Sequence, residues 1–534
     1  MRVLKPLRIG VRVENAQPPF ESRLARIAAP LRAMDEAAVR GEFALADGDL
    51  LLKTTLSLCP DCLAHVPAAV FERDGRVVLR KRCDTHGTSQ GVLENDARWY
   101  RLSNKDRWGR CYRPDRIMEI PAFDGGCCGP GESCETPVDQ PWPHDFSDQR
   151  GNKTCTVLVE VTDACNLACR VCYSDSKGDR VLPPEQFQAH VGALIAQKGR
   201  LDSVQVTGGE ASLHPRFREL VAWLHARPEV GKVYLPTNGI ELAKSGAAEW
   251  LVPLRDKVLV LLQFDGTDAP VNDTLRRAKP EKLRLKLVKQ LDRLGIPMQL
   301  TMTLAHGVSE RDIAWVVQQG RRHKNVRLIA MQPAFFSGRY EIGPEAEQRL
   351  TLSDCVKGVV AGLSGRARHE DFLPIPCSHP NCGWVTLFAR RFGFFANIAR
   401  HVDLDAVMNE VAYKTLLSRQ EMQGIVGTKR GIRGWLARFA RKLVRPQDVF
   451  GIAIKPFMDR FNYDQDRVSA CCHHILDTHG NAVSFCEYNA RLRAGDGWER
   501  LPVLEGHIPS AVSRLEDGRR KTEDAVATDG VPAS

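Results

Sequence analysis

The sequence predicts an α/β protein, a partial (β/α)6 barrel flanked by an N-terminal metal-knuckle domain and a cysteine-rich C-terminal region. Three observations carry this. Six short apolar runs alternate with amphipathic helical stretches between residues 154 and 340. Polar turns follow those runs at their C-terminal ends. The 17 cysteines fall mostly into close groups.

The chain's length and composition set the frame. At 534 residues it exceeds one ordinary core, so several domains are expected. With 43% hydrophobic and 26% charged residues it has a globular composition. No run of about 18 apolar residues predicts a membrane-spanning helix. The start, "MRVLKPLRIGVRVENAQPPF", is basic but lacks a signal-peptide core, so a cytoplasmic protein is expected. The net charge of +10 admits an anionic surface such as the inner face of a membrane, and no nucleic-acid partner is expected. In a reducing compartment, clustered cysteines read as metal ligands before disulfides.

The expected segments are an arm (1–50) with one helix near 20–40, a rubredoxin- or zinc-ribbon-like knuckle (51–120), a cysteine segment (121–155), the barrel (156–345), a C-terminal region (346–500) and a disordered tail (501–534). In the knuckle, "CPDC" (59–62) and "CDTH" (83–86) offer Cys59, Cys62, Cys83 and His86 at a spacing suited to tetrahedral zinc or mononuclear iron. "VFERDGRVVLRK" between them predicts the joining hairpin.

The six barrel strands are expected within 154–164, 203–210, 232–239, 257–266, 296–304 and 326–335, with helices at 183–199, 215–228, 274–294 and 309–322. Such βαβ units give a parallel sheet with its site at the C-terminal strand ends. There stand Gly208, Gly209 and Glu210, Asn238, and Gln263 with Asp265. Directly after the first strand comes "CNLACRVCY", with Cys165, Cys169 and Cys172. A [4Fe–4S] cluster normally takes four thiolates. Three leave one iron for an exogenous chelate.

The Cys165-x3-Cys169-x2-Cys172 triple, Tyr173 and the "GGE" turn resemble the radical SAM superfamily over roughly residues 154–340. The resemblance implies a radical SAM partial barrel. In it the three cysteines hold a cluster that binds S-adenosylmethionine. Tyr173 lies near the adenine, and Gly208 and Gly209 admit the methionine amine. Glu210 accepts from that amine. Asn238, Gln263 and Asp265 are candidates for ribose or substrate contact. Reductive cleavage of S-adenosylmethionine would then give a 5′-deoxyadenosyl radical. That calls for a reducing electron donor of flavodoxin or ferredoxin type.

Two further cysteine sets point to two auxiliary [4Fe–4S] clusters. "GGCCGPGESC" (125–134) with Cys155 offers Cys127, Cys128, Cys134 and Cys155, with Cys111 as a substitute. "PCSHPNC" (376–382) and "CCHHILDTHGNAVSFCEYN" (471–489) offer Cys377, Cys382, Cys472 and Cys486, with Cys471 as the alternative to Cys472. Together with the N-terminal knuckle these resemble the subgroup of tetraether lipid synthases and pterin-modifying radical SAM enzymes. The subgroup implies three [4Fe–4S] clusters and one mononuclear iron or zinc. Carbon–carbon bond formation on lipid chains is the first functional expectation. Methylation or other modification of a small soluble metabolite such as a pterin is the alternative. The basic amphipathic stretch "RGIRGWLARFARKLVRP" (430–446) favours the lipid, through peripheral membrane contact. "VFGIAIKPFMDRF" after it is read as tunnel lining or core. A plain electron-transfer protein would instead show four thiolates for every cluster.

Overall fold

The computed structural model describes residues 20–104, 154–176, 178–342, 348–375, 377–391, 394–401 and 445–504. The expected ligands Cys127, Cys128 and Cys134, the alternative Cys111, nearly all of the amphipathic stretch 430–446 and the tail beyond 504 lie outside them.

Two helices, Phe20–Ala33 and Glu36–Glu42, precede a four-stranded antiparallel sheet of β1 (Leu50–Leu58), β2 (His65–Arg73), β3 (Arg76–Cys83) and β4 (Gly87–Glu94). Asp74 and Gly75 join β2 to β3, both at positive φ, which is what a tight two-residue hairpin demands. Phe43, Leu51, Leu56 and Ala69 pack the first helices onto this sheet.

The second sheet is the barrel wall. Its central strands are β5 (Thr156–Thr162), β7 (Leu201–Gly208), β8 (Val230–Thr237), β9 (Val258–Gln263), β10 (Met298–Leu304) and β11 (Val326–Pro333), all parallel to their neighbours. The short β6 (Val171–Cys172) pairs instead with β12 (Arg339–Tyr340), outside the wall. Helices Pro184–Lys198, Phe217–Ala226, Glu281–Arg293 and Ile313–Arg322 lie between successive strands in the chain. Between β8 and β9 a 3-10 turn, Glu249–Leu254, takes the helix's place, with Pro253 inside it.

The wall has more parallel strands than the six expected. β13 (Leu373–Pro374), β14 (Trp384–Arg391) and β15 (Phe394–Asn397) form an antiparallel edge; β16 (Val449–Ile454) joins them to β11 and runs parallel to it. At the other edge β17 (His473–Leu476) runs parallel to β5, with β18 (Ala482–Ser484) antiparallel beyond. Residues 445–504 thus contribute β16, β17 and β18 to the barrel sheet. β16 comes from the stretch read as tunnel lining or core, with Ile452 and Ile454 buried and Ala453 lining the barrel cavity.

Strand alternation divides the apolar from the polar residues. In β10, Met298, Leu300, Met302 and Leu304 join the main core, while Gln299, Thr301 and Thr303 face the barrel cavity. In β11, Ile329 and Met331 are core, while Ala330 and Gln332 face inward.

Candidate functional site

Cys165, Cys169 and Cys172, on the loop after β5, all line one cavity of about 360 Å³. A small-molecule site typically occupies roughly 300–1,000 Å³, so the cavity is of small-molecule size. Several contacts pin the loop. Arg339 donates to the Cys169 carbonyl (3.0 Å) and to Asp175 (2.9 Å). Gly338 packs so closely on this segment that a Cβ would lie 2.4 Å from the Cys172 carbonyl oxygen.

Burial pushes the Cys165 and Cys169 thiols up, and charge on their neighbours pushes the same way. The Arg276 guanidinium opposes this at Cys169. Three thiols lining one cavity fit a cationic cluster, because bound metal favours the thiolate.

The "GGE" turn lies against the same loop. A Cβ on Gly208, at φ +137°, would meet the Thr162 carbonyl oxygen at 2.1 Å; one on Gly209 would meet that of Ala164 at 2.1 Å. Both glycines are thus required by contact with the cysteine loop, not solely by the approach of a ligand. Glu210 is buried and accepts from Ser212 Oγ (2.6 Å), Thr237 Oγ1 (2.9 Å) and the Asn238 amide (2.8 Å). Its Oε2 takes only the last of these, leaving acceptor capacity in the cavity. Tyr173 stands edge-on to Phe485 and its hydroxyl lies 3.3 Å from Thr207 Oγ1. Asn238 and Gln263 line the cavity as well.

Asp265 does not line it. Its carboxylate accepts from Arg276 Nε (2.8 Å) and Nη2 (2.7 Å), Gln263 Nε2 (2.7 Å) and, more distantly, Arg284 (3.4 Å). The expected ribose contact gives way to a positioning role, because two buried arginines claim the carboxylate. Arg276, which the sequence reading missed, reaches the cavity beside Cys169. The basic pair following the strand-end "DG" was the available signal.

The cysteines behind the barrel sort differently from their sequence grouping. Cys155, Cys377 and Cys472 bring their sulfurs within 4.8 Å of one another. The Cys155 amide donates to the Cys472 carbonyl (2.9 Å) as β5 and β17 pair. Cys382, Cys471 and Cys486 form a second neighbourhood, in which Cys471 and Cys486 lie close enough to interact with Cys382, with Arg467 beside Cys382 and Cys486. Cys471 and Cys472 are therefore not alternatives. Adjacent residues in extended chain point to opposite sides, and each joins its own set. The expected sets mixed the two, because sequence proximity does not show which strand lies beside which.

At the knuckle, Cys59, Cys62, Cys83 and His86 converge within 4.8 Å. Cys62 and Cys83 sulfurs are 3.9 Å apart, and His86 Nδ1 is 3.5 Å from Cys83 and 3.6 Å from Cys59. A tetrahedral ion with metal–sulfur bonds of about 2.3 Å would set sulfurs about 3.8 Å apart, so the set fits one ion. Burial pushes the Cys83 thiol up, but His86 and local backbone donors outweigh it and hold it at about 6.

Residues 51–95 match the family described as the HMPTM N-terminal zinc ribbon domain, and residues 159–319 match the radical SAM superfamily. The chain is 26% identical over 526 residues to a 7,8-dihydro-6-hydroxymethylpterin dimethyltransferase of Methanocaldococcus jannaschii, covering 85% of this chain and 98% of that one. It is 26% identical over 263 residues to a GTP 3′,8-cyclase of Chlorobaculum tepidum, covering 46% and 75%. Among solved structures, Streptococcus suis SuiB bound to S-adenosylmethionine aligns over 39% of this chain and 46% of that chain, at 19% identity and a TM-score of 0.33. The chain is a radical SAM enzyme, with a zinc ribbon ahead of its radical SAM domain.

Proposed function

We propose that this enzyme modifies a small, polar, ring-bearing metabolite, by radical methylation or a related hydrogen-abstraction reaction, with a pterin as the reference substrate. One observation carries the reading: polar side chains stand in register pairs on the barrel's inner wall, among apolar neighbours such as Leu158, Leu261 and Leu328. Gln205 and Tyr234 stand side by side in register, as do Gln263 and Thr301, and Thr303 and Gln332. All six line the cavity. Gln263, Thr301 and Thr303 already have partners within the wall, so an alkyl chain filling this space would chiefly strand the Gln205 and Gln332 amides, at a cost of about 1–3 kcal/mol for each group left unpaired. A heteroaromatic ring with amide-like edges would pair with them. The similarity to the pterin dimethyltransferase supports the same choice. Lipid coupling keeps the support of the amphipathic sequence 430–446, nearly all of which lies outside the described residues. Among the described residues no helix is long and apolar enough to cross a membrane.

In this reading Cys165, Cys169 and Cys172 hold a [4Fe–4S] cluster. When bound, that cluster and S-adenosylmethionine supply a 5′-deoxyadenosyl radical to the cavity. Glu210 offers Oε2 to the methionine ammonium. Tyr173 walls the adenine side, and Asn238 and Gln263 bound the space between cofactor and substrate. Arg276, fixed by Asp265, offsets negative charge beside Cys169. Cys155, Cys377 and Cys472 hold one auxiliary cluster, and Cys382, Cys471 and Cys486 the other.

The test is a pair of variants, Gln205→Leu and Gln332→Leu, assayed with 6-hydroxymethyl-7,8-dihydropterin. Each is expected to raise KM about tenfold, the equivalent of one lost hydrogen bond of about 1.4 kcal/mol, without changing S-adenosylmethionine affinity. A wild-type enzyme that leaves this pterin unaltered in mass, while altering acyl or alkyl chains, overturns the reading.

A further inference from the structure

We propose that Lys455 holds a negatively charged group of the substrate, so that the molecule in the barrel is a polar ring carrying a phosphate or carboxylate. The proposal rests on the small-metabolite reading above and specifies its substrate class. β16 ends at Ile454, in register with Met331, and the Lys455 amide donates to the Met331 carbonyl (2.9 Å). Lys455 thereby stands beside Gln332 at the C-terminal rim of the wall, half-buried and lining the same cavity.

Its ammonium lies 5.4 Å from the centre of the Phe457 ring, and among the described residues no carboxylate pairs with it. The other cavity arginines are engaged: Arg276 and Arg284 share Asp265. The cavity's carboxylate, Glu210, is hydrogen-bonded by Ser212, Thr237 and Asn238 and keeps Oε2 for the methionine ammonium. A cation facing a cavity whose arginines are already paired is suited to an incoming anion. Two other anions compete for it. Burial pushes the Cys471 thiol up while the Lys455 charge opposes it, which makes that cysteine set one competitor. The carboxylate of S-adenosylmethionine is the second.

The experiment measures equilibrium binding by pterin fluorescence on reconstituted enzyme with S-adenosylmethionine present. The probes are 6-hydroxymethylpterin, its phosphate ester and 6-carboxypterin. Wild type is expected to bind the ester or the carboxylate at least tenfold more tightly than the alcohol. Lys455→Met should reduce that preference to within twofold, and Lys455→Arg should keep most of it. Equal affinity for all three probes, or a preference that survives Lys455→Met, overturns the assignment and leaves the metabolite reading standing. Loss of S-adenosylmethionine affinity in Lys455→Met overturns it in favour of the cofactor carboxylate. An altered cluster spectrum with unchanged probe binding overturns it in favour of Cys471. Displacement of the ester by an equal concentration of dihexanoyl phosphatidate overturns the ring half, because the anion is then a lipid headgroup. If no pterin binds, the metabolite reading falls by itself. Inorganic pyrophosphate bound by wild type but not by Lys455→Met would then still support the anion site, and its absence would overturn that too.

Discussion

Cys471 and Cys472 are neighbours in the chain, yet they lie in different cysteine neighbourhoods. Cys472 joins Cys155 and Cys377, while Cys471 joins Cys382 and Cys486. Cys471→Ser and Cys472→Ser are each expected to remove one cluster, about four iron atoms per chain, and the double variant about eight. Iron analysis of reconstituted protein checks this; a double variant that loses no more than either single one contradicts it. Asp265 is the sole carboxylate hydrogen-bonded to Arg276 and Arg284 among the described residues. Asp265→Asn should destabilise the protein by about 3–5 kcal/mol, read as a lower denaturant midpoint. The role of Asp265 was not legible from sequence, because its partners lie on a different element and only the fold brings them together. The cluster triple was legible because its three ligands share one short loop. The glycine turn was legible as a feature but not in its full cause, since the Thr162 and Ala164 carbonyls that demand it come from another strand end.

The zinc ribbon is tied to the C-terminal segment by buried charge. Lys53 Nζ lies 2.9 Å from Asp464 and 2.8 Å from Asp466, and Asp466 also meets His379, which stands between Cys377 and Cys382. Burial pushes the Asp466 carboxyl up, but Lys53 and His379 outweigh it and hold it well below the usual carboxylate range. A group depressed in the folded state stabilises above its unfolded pKa of about 4, and that stability is lost as pH falls below it. Lys53→Met should therefore cost about 3–5 kcal/mol at neutral pH and move the acid-unfolding midpoint upward. An unchanged midpoint in circular dichroism would contradict the coupling. Among elements, the hairpin in "VFERDGRVVLRK" and the six central strands were legible from alternation and turn residues. β16 and β17 were not read as wall strands. Each is short, and its partner, β11 or β5, lies more than a hundred residues away.

Around one cavity the described residues gather the cysteine loop at its mouth, two further cysteine neighbourhoods near its edge strands and the ribbon docked on the segment that carries them. Fully loaded protein is expected to hold about twelve iron atoms in three clusters, plus one ion in the ribbon. Cys165→Ala, Cys169→Ala and Cys172→Ala should each abolish cleavage of S-adenosylmethionine, whereas Cys486→Ala should impair product formation more than cleavage. The measurement that tests the central claim most directly is 5′-deoxyadenosine formation by the anaerobically reconstituted enzyme with a strong reductant. It is run in parallel with 6-hydroxymethylpterins and with a total lipid extract. The inward-facing Gln205 and Gln332 predict stimulation by the pterins, with a mass change on the ring compound. Stimulation by lipid alone, with hydrogen lost from acyl or alkyl chains, would contradict it.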